Sequence, residues 1–406
     1  MSQKLSSRMS AIRPSPTFAA AAKAKALKAE GRDIIDLTLG EPDFDTPDHI
    51  KAAGIAAIQQ GQTKYTAIDG TPQLKQAIVD KFQTQNNLTY QTNEISVGTG
   101  GKQVLFNALM ATVDVGDEVI IPAPYWVSYA DIVSLAGGTP VFVTTTAQSK
   151  FKMTPAQLDA AITPKTKWLI INSPSNPCGA TYTADELIAL ASVLKKHPQV
   201  MILSDDLYEH IVYDDFKFHT MAEVAPELKD RTLTLNGVSK AYAMTGWRIG
   251  YAGGPKWLIE AMWLLQSQST SSPSSIGQAA AIAAVSGDHE IIRERTAEFK
   301  IRRDVMAAEL NKIPGVHCNV PEGSFYLFPS VESFIGAKTP DGKTLGDDTA
   351  ITLYLLEAAE VAVVMGSAFG CPGFIRISYA TSLDKLRAAC DRIATALGAL
   401  RVKAAA

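Results

Sequence analysis

Lys240 lies in the stretch Gly237-Val-Ser-Lys240-Ala-Tyr-Ala-Met-Thr-Gly-Trp-Arg248-Ile-Gly250. The apolar run Thr232-Leu-Thr-Leu-Asn236 leads into it, as a strand would. Burial at a strand exit lowers the pKa of a lysine and leaves its amine nucleophilic near neutrality, which suits Schiff-base formation with an aldehyde. A lone lysine is ordinarily a solvated loop residue, so other residues must carry the argument. Gly98-Thr-Gly100-Gly101-Lys102 joins a strand to a helix, and the free N–H groups of such a corner attract phosphate. It is not a dinucleotide fingerprint, because Gln103 stands where a third glycine would fall, and no Walker sequence occurs in the chain.

Asp205 closes another apolar run. It either caps the following turn or pairs with a cationic ring nitrogen. Tyr208, three residues on, reaches the same ligand if the segment makes one turn, and is otherwise a core residue. Asn176 lies in a proline-flanked loop, where its amide holds the loop or meets a ligand oxygen. Trp126 is a core aromatic or a stacking surface for a cofactor. Arg376 sits in Phe374-Ile-Arg-Ile-Ser-Tyr379 with apolar neighbours on both sides. Its guanidinium matches a carboxylate bidentately, whether a ligand's or one of the chain's own acids.

The elements that must position these groups follow an alternating pattern. Strand-like runs at 94–97, 118–121, 140–145, 168–171, 200–203, 232–236 and 249–253 are short and mostly apolar. Helical spacing lies between several of them, at 102–113, 128–136, 155–162 and 184–196. Such runs predict a mainly parallel sheet covered on both faces, with ligands bound beyond the carboxyl ends of its strands. The glycines of 98–101 (Gly98, Gly100 and Gly101), Trp126, Asn176, Asp205, Tyr208 and Lys240 all fall at or just past such ends. Upstream, residues 1–16 are expected to be extended, Thr17 to cap a helix ending near Gly31, residues 33–39 to form a strand, and 48–60 and 73–85 to form helices. Downstream, a charged helix is expected at 289–312, strands at 316–319, 324–328, 361–364 and 374–379, and helices at 347–359 and 383–400, with an exposed loop at 334–346. The fold expected is α/β: a large domain at 49–295, a smaller α/β domain at 296–406, and an N-terminal arm at 1–48 that completes the smaller one.

Composition narrows the function. The 406 residues carry a formal charge of −3 and 46% hydrophobic residues, which gives no electrostatic case for nucleic acid or an anionic membrane. No apolar stretch is long enough to span a bilayer. The acid-free first 29 residues have a transit-peptide composition, but Pro14 and Pro16 oppose an amphipathic targeting helix. Four scattered cysteines (Cys178, Cys318, Cys371, Cys390) show no metal-ligand spacing and read as reduced thiols of a cytoplasmic protein, with no metal site.

Together these residues resemble the pyridoxal-phosphate-dependent class I aminotransferases of fold type I. The resemblance rests on LGEPDFDTP (39–47), KYTAIDGTP (64–72), GTGGKQ (98–103), PAPYWVSY (122–129), NSPSNPCG (172–179), SDDLYE (204–209), GVSKAYAMTGWRIGY (237–251) and RISYA (376–380), in that order along nearly the whole chain. It implies pyridoxal 5′-phosphate as cofactor, with Lys240 as Schiff-base lysine and general base and Asp205 on the pyridine nitrogen. Tyr208 and Asn176 would meet the ring hydroxyl, and Trp126 would stack on the ring. Gly100, Gly101, Lys102 and Arg248 would hold the phosphate, and Tyr65 would reach that of a neighbouring subunit, which implies a homodimer with shared sites. Arg376 would bind the substrate α-carboxylate beside Gly40, Trp126 and Asn176. Gly237 departs from the serine that some members carry there, and Ser239 could take its place.

Arg13-Pro-Ser15-Pro-Thr17 and Lys102 are similar to the bacterial-type aspartate aminotransferases, some of which also use prephenate. Arg13, Ser15, Thr17 and Lys102 would then receive a side-chain carboxylate, with the N-terminal segment closing over the substrate. The function implied is amino transfer from L-aspartate to 2-oxoglutarate. The same scaffold also carries aromatic or neutral amino acid aminotransferases and pyridoxal-phosphate lyases. A non-catalytic regulatory module would need a DNA-binding domain and a basic leader that the pattern leaves no room for.

Overall fold

The computed structural model describes residues 5–12 and 16–402. A 3-10 turn at Ser7–Ala11 breaks the expected extended arm. Helix α1 spans Pro16–Ala29. Thr17 therefore lies inside its first turn rather than ahead of it, because proline lacks the N–H that a first turn leaves unpaired and opens the helix readily. Strand β1 (Ile35–Asp36) follows, then α2 (Asp48–Gln59) and α3 (Pro72–Asn86). Thr71 caps α3 by accepting from the Leu74 N–H.

The αβ alternation then runs β2 (Ile95–Gly98), α4 (Gly101–Met110), β3 (Glu118–Ala123), α5 (Ser128–Leu135), β4 (Thr139–Thr144), α6 (Pro155–Ala161), β5 (Thr166–Asn172), α7 (Ala184–Leu194), β6 (Met201–Asp205), α8 (Met221–Val224), β7 (Thr232–Gly237) and β8 (Gly250–Gly253). Capping boxes, Thr154 with Gln157 and Thr183 with Glu186, start α6 and α7. Helices α9 (Lys256–Ser267) and α10 (Ser275–Ser286), absent from the sequence-based expectation, precede the long α11 (Glu290–Leu310).

Strands β2 to β8 form a sheet in the order β2-β8-β7-β6-β5-β3-β4. Only β8 runs antiparallel to its neighbours there. Side chains of a strand alternate between faces, and both faces are buried. Val119, Ile121, Trp168, Ile170, Leu203 and Leu235 pack with α4, α5 and α9. Ile120, Leu169, Ile171 and Ile202 pack on the other side with α6 and α7. That is why these strands read as continuous apolar runs.

The remaining strands are β9 (Tyr326–Leu327), β10 (Val361–Ala362), β11 (Val364–Met365) and β12 (Ile375–Ser378), with α12 (Asp348–Ala358) and α13 (Leu383–Gly398). A small sheet runs β11-β12-β9, and β1 pairs in parallel with β10. Ile35 and Leu37 join one core with Phe299, Met306, Leu355 and Ile393, so the chain returns from its start to pack with its end. Three details differ from expectation. Residues 316–319 form no strand, and His317 makes a single bridge to Ser330. The run 361–364 splits between two sheets, because Val361 faces β1 while Val364 pairs with Arg376. In the loop at 334–346, Phe334, Ala337, Thr339 and Leu345 are buried rather than exposed. Its Lys338 bridges both Thr344 and Arg401.

Candidate active site

Four strand ends and one helix start converge on a cavity of about 380 Å³. Gly40, Gly101, Lys102, Trp126, Asn176, Asp205, Tyr208, Lys240, Arg248 and Arg376 all line it. Trp126 follows β3, Asn176 follows β5, Asp205 ends β6, and Lys240 follows β7, as the carboxyl-edge rule for open sheets requires.

Lys240 points its Nζ at the Gly40 carbonyl oxygen, 2.5 Å away, and lies 5.8 Å from the Tyr208 ring centroid. Its ammonium is densely surrounded. Burial, helped by the positive charges of Arg376 and Arg248, brings its pKa down to about 8 against the opposing pull of Glu41 and Asp205. An unprotonated amine is thus accessible near neutral pH.

Asp205 is buried, and burial pushes its carboxyl up to about 6 although hydrogen bonds and Lys240 pull it down. Its Oδ2 accepts a 2.5 Å bond from the Tyr129 hydroxyl. Among the described residues its Oδ1 accepts only from the Leu207 N–H, at 3.3 Å. A buried carboxylate so placed suits a cationic N–H donor. Tyr129 was not foreseen from the sequence. The available signal was its place one helical turn beyond Trp126, and the two rings meet edge-on at 5.3 Å.

Arg376 is fully enclosed, and burial lowers its pKa. Its Nη1 donates to Asn176 Oδ1 at 3.0 Å and its Nη2 to the Thr38 carbonyl at 2.5 Å. Its Nε is buried without a hydrogen-bond partner. Among the described residues no acid pairs with it, so the ion pair with one of the chain's own acids is not the reason for its burial. Its guanidinium lies over the Tyr326 ring at 4.6 Å, and the Tyr326 hydroxyl meets that of Tyr208 at 3.0 Å. Tyr326, Glu41 and Thr245 also line the cavity and were not singled out from sequence. Thr245 Oγ1 donates to Glu41 Oε2 at 2.7 Å.

At the other end, α4 begins against the cavity. Gly100 has φ +86°, and a Cβ there would collide with the Arg248 guanidinium. Arg248 donates through Nη1 to the Thr245 carbonyl at 2.8 Å. Lys102 stands 4.8 Å from the Trp126 ring centroid, with its pKa lowered by burial and then by Arg248. Ser239 also lines the cavity, whereas Gly237 is not among its lining residues. Tyr65 lies elsewhere, 92% exposed. Arg13 and Ser15 lie outside the described residues.

The donor set fits pyridoxal 5′-phosphate. Four cations, Lys102, Lys240, Arg248 and Arg376, face two acids, Asp205 and Glu41. A helix start and an arginine packed against Gly100 suit a phosphate, Trp126 offers a ring face, and Asp205 offers a carboxylate with a free lone pair.

Comparison with known proteins agrees with this geometry. Residues 32–393 match the model of the family described as aminotransferase class I and II. An aspartate/prephenate aminotransferase of Cereibacter sphaeroides is 57% identical over 389 residues, covering 96% of this chain and 97% of that protein. The crystal structure of the aspartate aminotransferase from Rhizobium meliloti is 55% identical, with a TM-score of 0.95 over 98% of this chain and 99% of that one. The Thermus thermophilus aspartate aminotransferase with maleate is 42% identical, with a TM-score of 0.90 over 97% of this chain and all of that one. The chain belongs to the class I and II aminotransferases, and it is a pyridoxal-phosphate-dependent enzyme.

Proposed function

We propose that this enzyme moves the amino group of L-aspartate to 2-oxoglutarate in two half-reactions that use the same residues, and that it also accepts prephenate. The observation that carries the reading is the buried Arg376, without an acid partner among the described residues, in one cavity with the Lys240 amine. Each substrate brings an α-carboxylate, which the guanidinium is shaped to receive. Lys102, whose ammonium stands 4.8 Å from the Trp126 ring centroid, adds positive charge that favours a second carboxylate. Maleate, a four-carbon dicarboxylate, in the Thermus structure and prephenate in the name of the Cereibacter relative support a dicarboxylate range. Arg13 is proposed to contribute to the same end.

When bound, pyridoxal phosphate supplies an electron sink for the Cα–H bond of the amino acid. Asp205 would hold the proton on the ring nitrogen, with Tyr129 fixing the carboxylate. Tyr208 and Asn176 would donate to the ring oxygen. Gly100, Gly101, Lys102 and Arg248 would hold the phosphate, and Trp126 would cover the ring face. Lys240 Nζ would take the Cα proton as general base and return it as general acid, a role its lowered pKa suits. Gly40 leaves room at the substrate, since a Cβ there would meet the Tyr326 hydroxyl at 3.0 Å.

The exposed Tyr65, with Ile55, Ile58 and Leu264 also exposed, supports a homodimer in which Tyr65 reaches the phosphate of the neighbouring subunit. The division proposed is an arm at 1–48, a cofactor domain at 49–295 and a smaller domain at 296–406: one core lies wholly within 104–262, and most of another comes from 299–400, joined by Ile35 and Leu37 and by Tyr208, Ile211 and Tyr213. No helix among the described residues is long and apolar enough to cross a membrane, and we place the enzyme in the cytoplasm. Incubation with L-aspartate and 2-oxoglutarate should yield oxaloacetate. No turnover there, with good turnover on phenylalanine, alanine or cystathionine, would reject the aspartate assignment.

A further inference from the structure

Beside the segments that carry Tyr208 and Lys240 lies a buried polar cluster that lines no part of the cavity. Lys81 on α3 and Glu209 form an ion pair with side chains 0% and 3% exposed. Asn86, at the end of α3, joins them, accepting from Lys81 Nζ at 2.6 Å and donating to Glu209 Oε2 at 2.8 Å. His210 Nε2 stands 3.2 Å from Glu209 Oε1. The His210 ring packs against His289 at 5.3 Å and Tyr242 at 6.0 Å, and the Tyr242 hydroxyl meets His289 Nε2 at 3.2 Å. Further titratable or charged neighbours are Asp206, bonded to Ser204, Tyr251 beside Glu209 and Tyr242, and Asp288 and Arg293 beside His289.

Stability alone does not explain the cluster. Apolar side chains of the same volume would hold the same elements together without desolvating two charges. What distinguishes it is where its members sit in the chain. Glu209 follows Tyr208 directly, and the turn around them is closed by Glu209 N–H to Asp206 O at 2.9 Å and Ile211 N–H to Tyr208 O at 2.8 Å. Lys81 and Asn86 hold the Glu209 carboxylate, and so anchor the turn in which Tyr208 is the preceding residue. Tyr242 stands two residues after Lys240, in a turn closed by Ala243 N–H to Lys240 O at 3.2 Å and Met244 N–H to Ser239 O at 3.1 Å. The cluster therefore grips one side of each segment whose other side faces the cavity. His289 stands at the N-cap position of α11, and Thr296 of that helix donates to the His210 carbonyl at 3.2 Å, so α11 is held to the same point.

We propose that Lys81, Asn86 and Glu209, linked through His210 to Tyr242 and His289, form a positioning bracket that sets the Tyr208 hydroxyl relative to the Lys240 amine. The proposal rests on the reading that Tyr208 donates to the cofactor's ring oxygen. These are positioning residues, because none of them touches the cavity. Loosening the bracket moves a donor away from an anionic oxygen, and so disfavours the deprotonated form of the bound chromophore.

The test is a pH titration of the visible band of the holoenzyme, with kcat and KM for aspartate, in four proteins: wild type, Tyr208→Phe, Glu209→Gln and the double variant Lys81→Met/Glu209→Met. Tyr208→Phe should raise the spectral midpoint by about 1 pH unit. Glu209→Gln should raise it in the same direction by about half as much, with kcat down about 10-fold and KM within about 3-fold of wild type, because no substrate contact is lost. The double variant leaves no unpaired buried charge and so keeps its fold, and it should show the same shift. A folded double variant with wild-type midpoint and kcat, beside a shifted Tyr208→Phe, overturns the bracket alone. An unshifted Tyr208→Phe overturns the role of Tyr208 and the bracket with it.

Discussion

Removing the hydroxyl of Tyr129 tests how the site keeps Asp205 charged. Tyr129→Phe deletes the 2.5 Å bond to Asp205 Oδ2 and changes little else, since the ring stays packed in a buried cluster. A hydrogen bond to a charged acceptor contributes about 1.5–3 kcal/mol, and 1.36 kcal/mol corresponds to one pKa unit. Asp205, at about 6 in the free enzyme, should then titrate about 1–2 units higher. A carboxylate with a raised pKa is lost as pH falls through the new value, so the cost is greatest in acid. If only the ionised form holds the ring nitrogen, cofactor affinity should drop about 2- to 10-fold at pH 7, more at pH 6, and by less than about 1.5-fold at pH 9. Titrating the apoenzyme with pyridoxal phosphate and following fluorescence quenching at these pH values measures it. An affinity loss equal at all three pH values, or none, would refute the argument that Tyr129 acts through the charge of Asp205.

Other expectations follow from the same geometry. Arg376→Lys replaces a planar fork with a point charge, and should lower kcat/KM for aspartate by about 10- to 150-fold, from the loss of one charge-assisted bond; steady-state kinetics checks it. Gly100→Ala places a methyl against Arg248 in a left-handed backbone position, and should weaken cofactor binding while leaving thermal stability within a few degrees, as apoenzyme titration and melting will show. Stability should fall as pH drops from about 6.5. His210 is held neutral by burial, its pKa down at about 4, so the unfolded chain takes up a proton first and favours unfolding between those values. Glu209, held down at about 2 mainly by Lys81 and His210 against burial, contributes stability that is fully present above about 4.5 and is lost between there and 2. His210→Asn should flatten the upper part of that profile in thermal melts.

The parts of this molecule legible in the sequence are those that depend on local pattern. Apolar runs such as Trp168-Leu-Ile-Ile171 read as strands because both faces of the sheet are covered, and the residues after them fall at one edge by topology alone. Gly100 and Lys240 announced themselves through their place at strand exits. Other features depend on contacts between distant positions. The bond from Tyr129 to Asp205 spans 76 residues, and no spacing encodes it. Whether Arg376 met an acid could be decided only by seeing what surrounds it. Helix α10 hides behind Ser271-Ser-Pro-Ser-Ser275, which reads as loop until Ser274 is seen accepting from the Gly277 N–H as a cap. Val361 and Val364 look like one strand, and a change of partner between them is invisible in their side chains.

The central claim is that the Lys240 amine carries both the bond to the cofactor and the proton of the substrate. Lys240→Ala, reconstituted with pyridoxal phosphate, should lose the visible absorbance of the protein-linked chromophore and nearly all formation of oxaloacetate from aspartate and 2-oxoglutarate, while its circular dichroism stays that of the wild type. A folded Lys240→Ala protein that keeps its turnover would contradict the account.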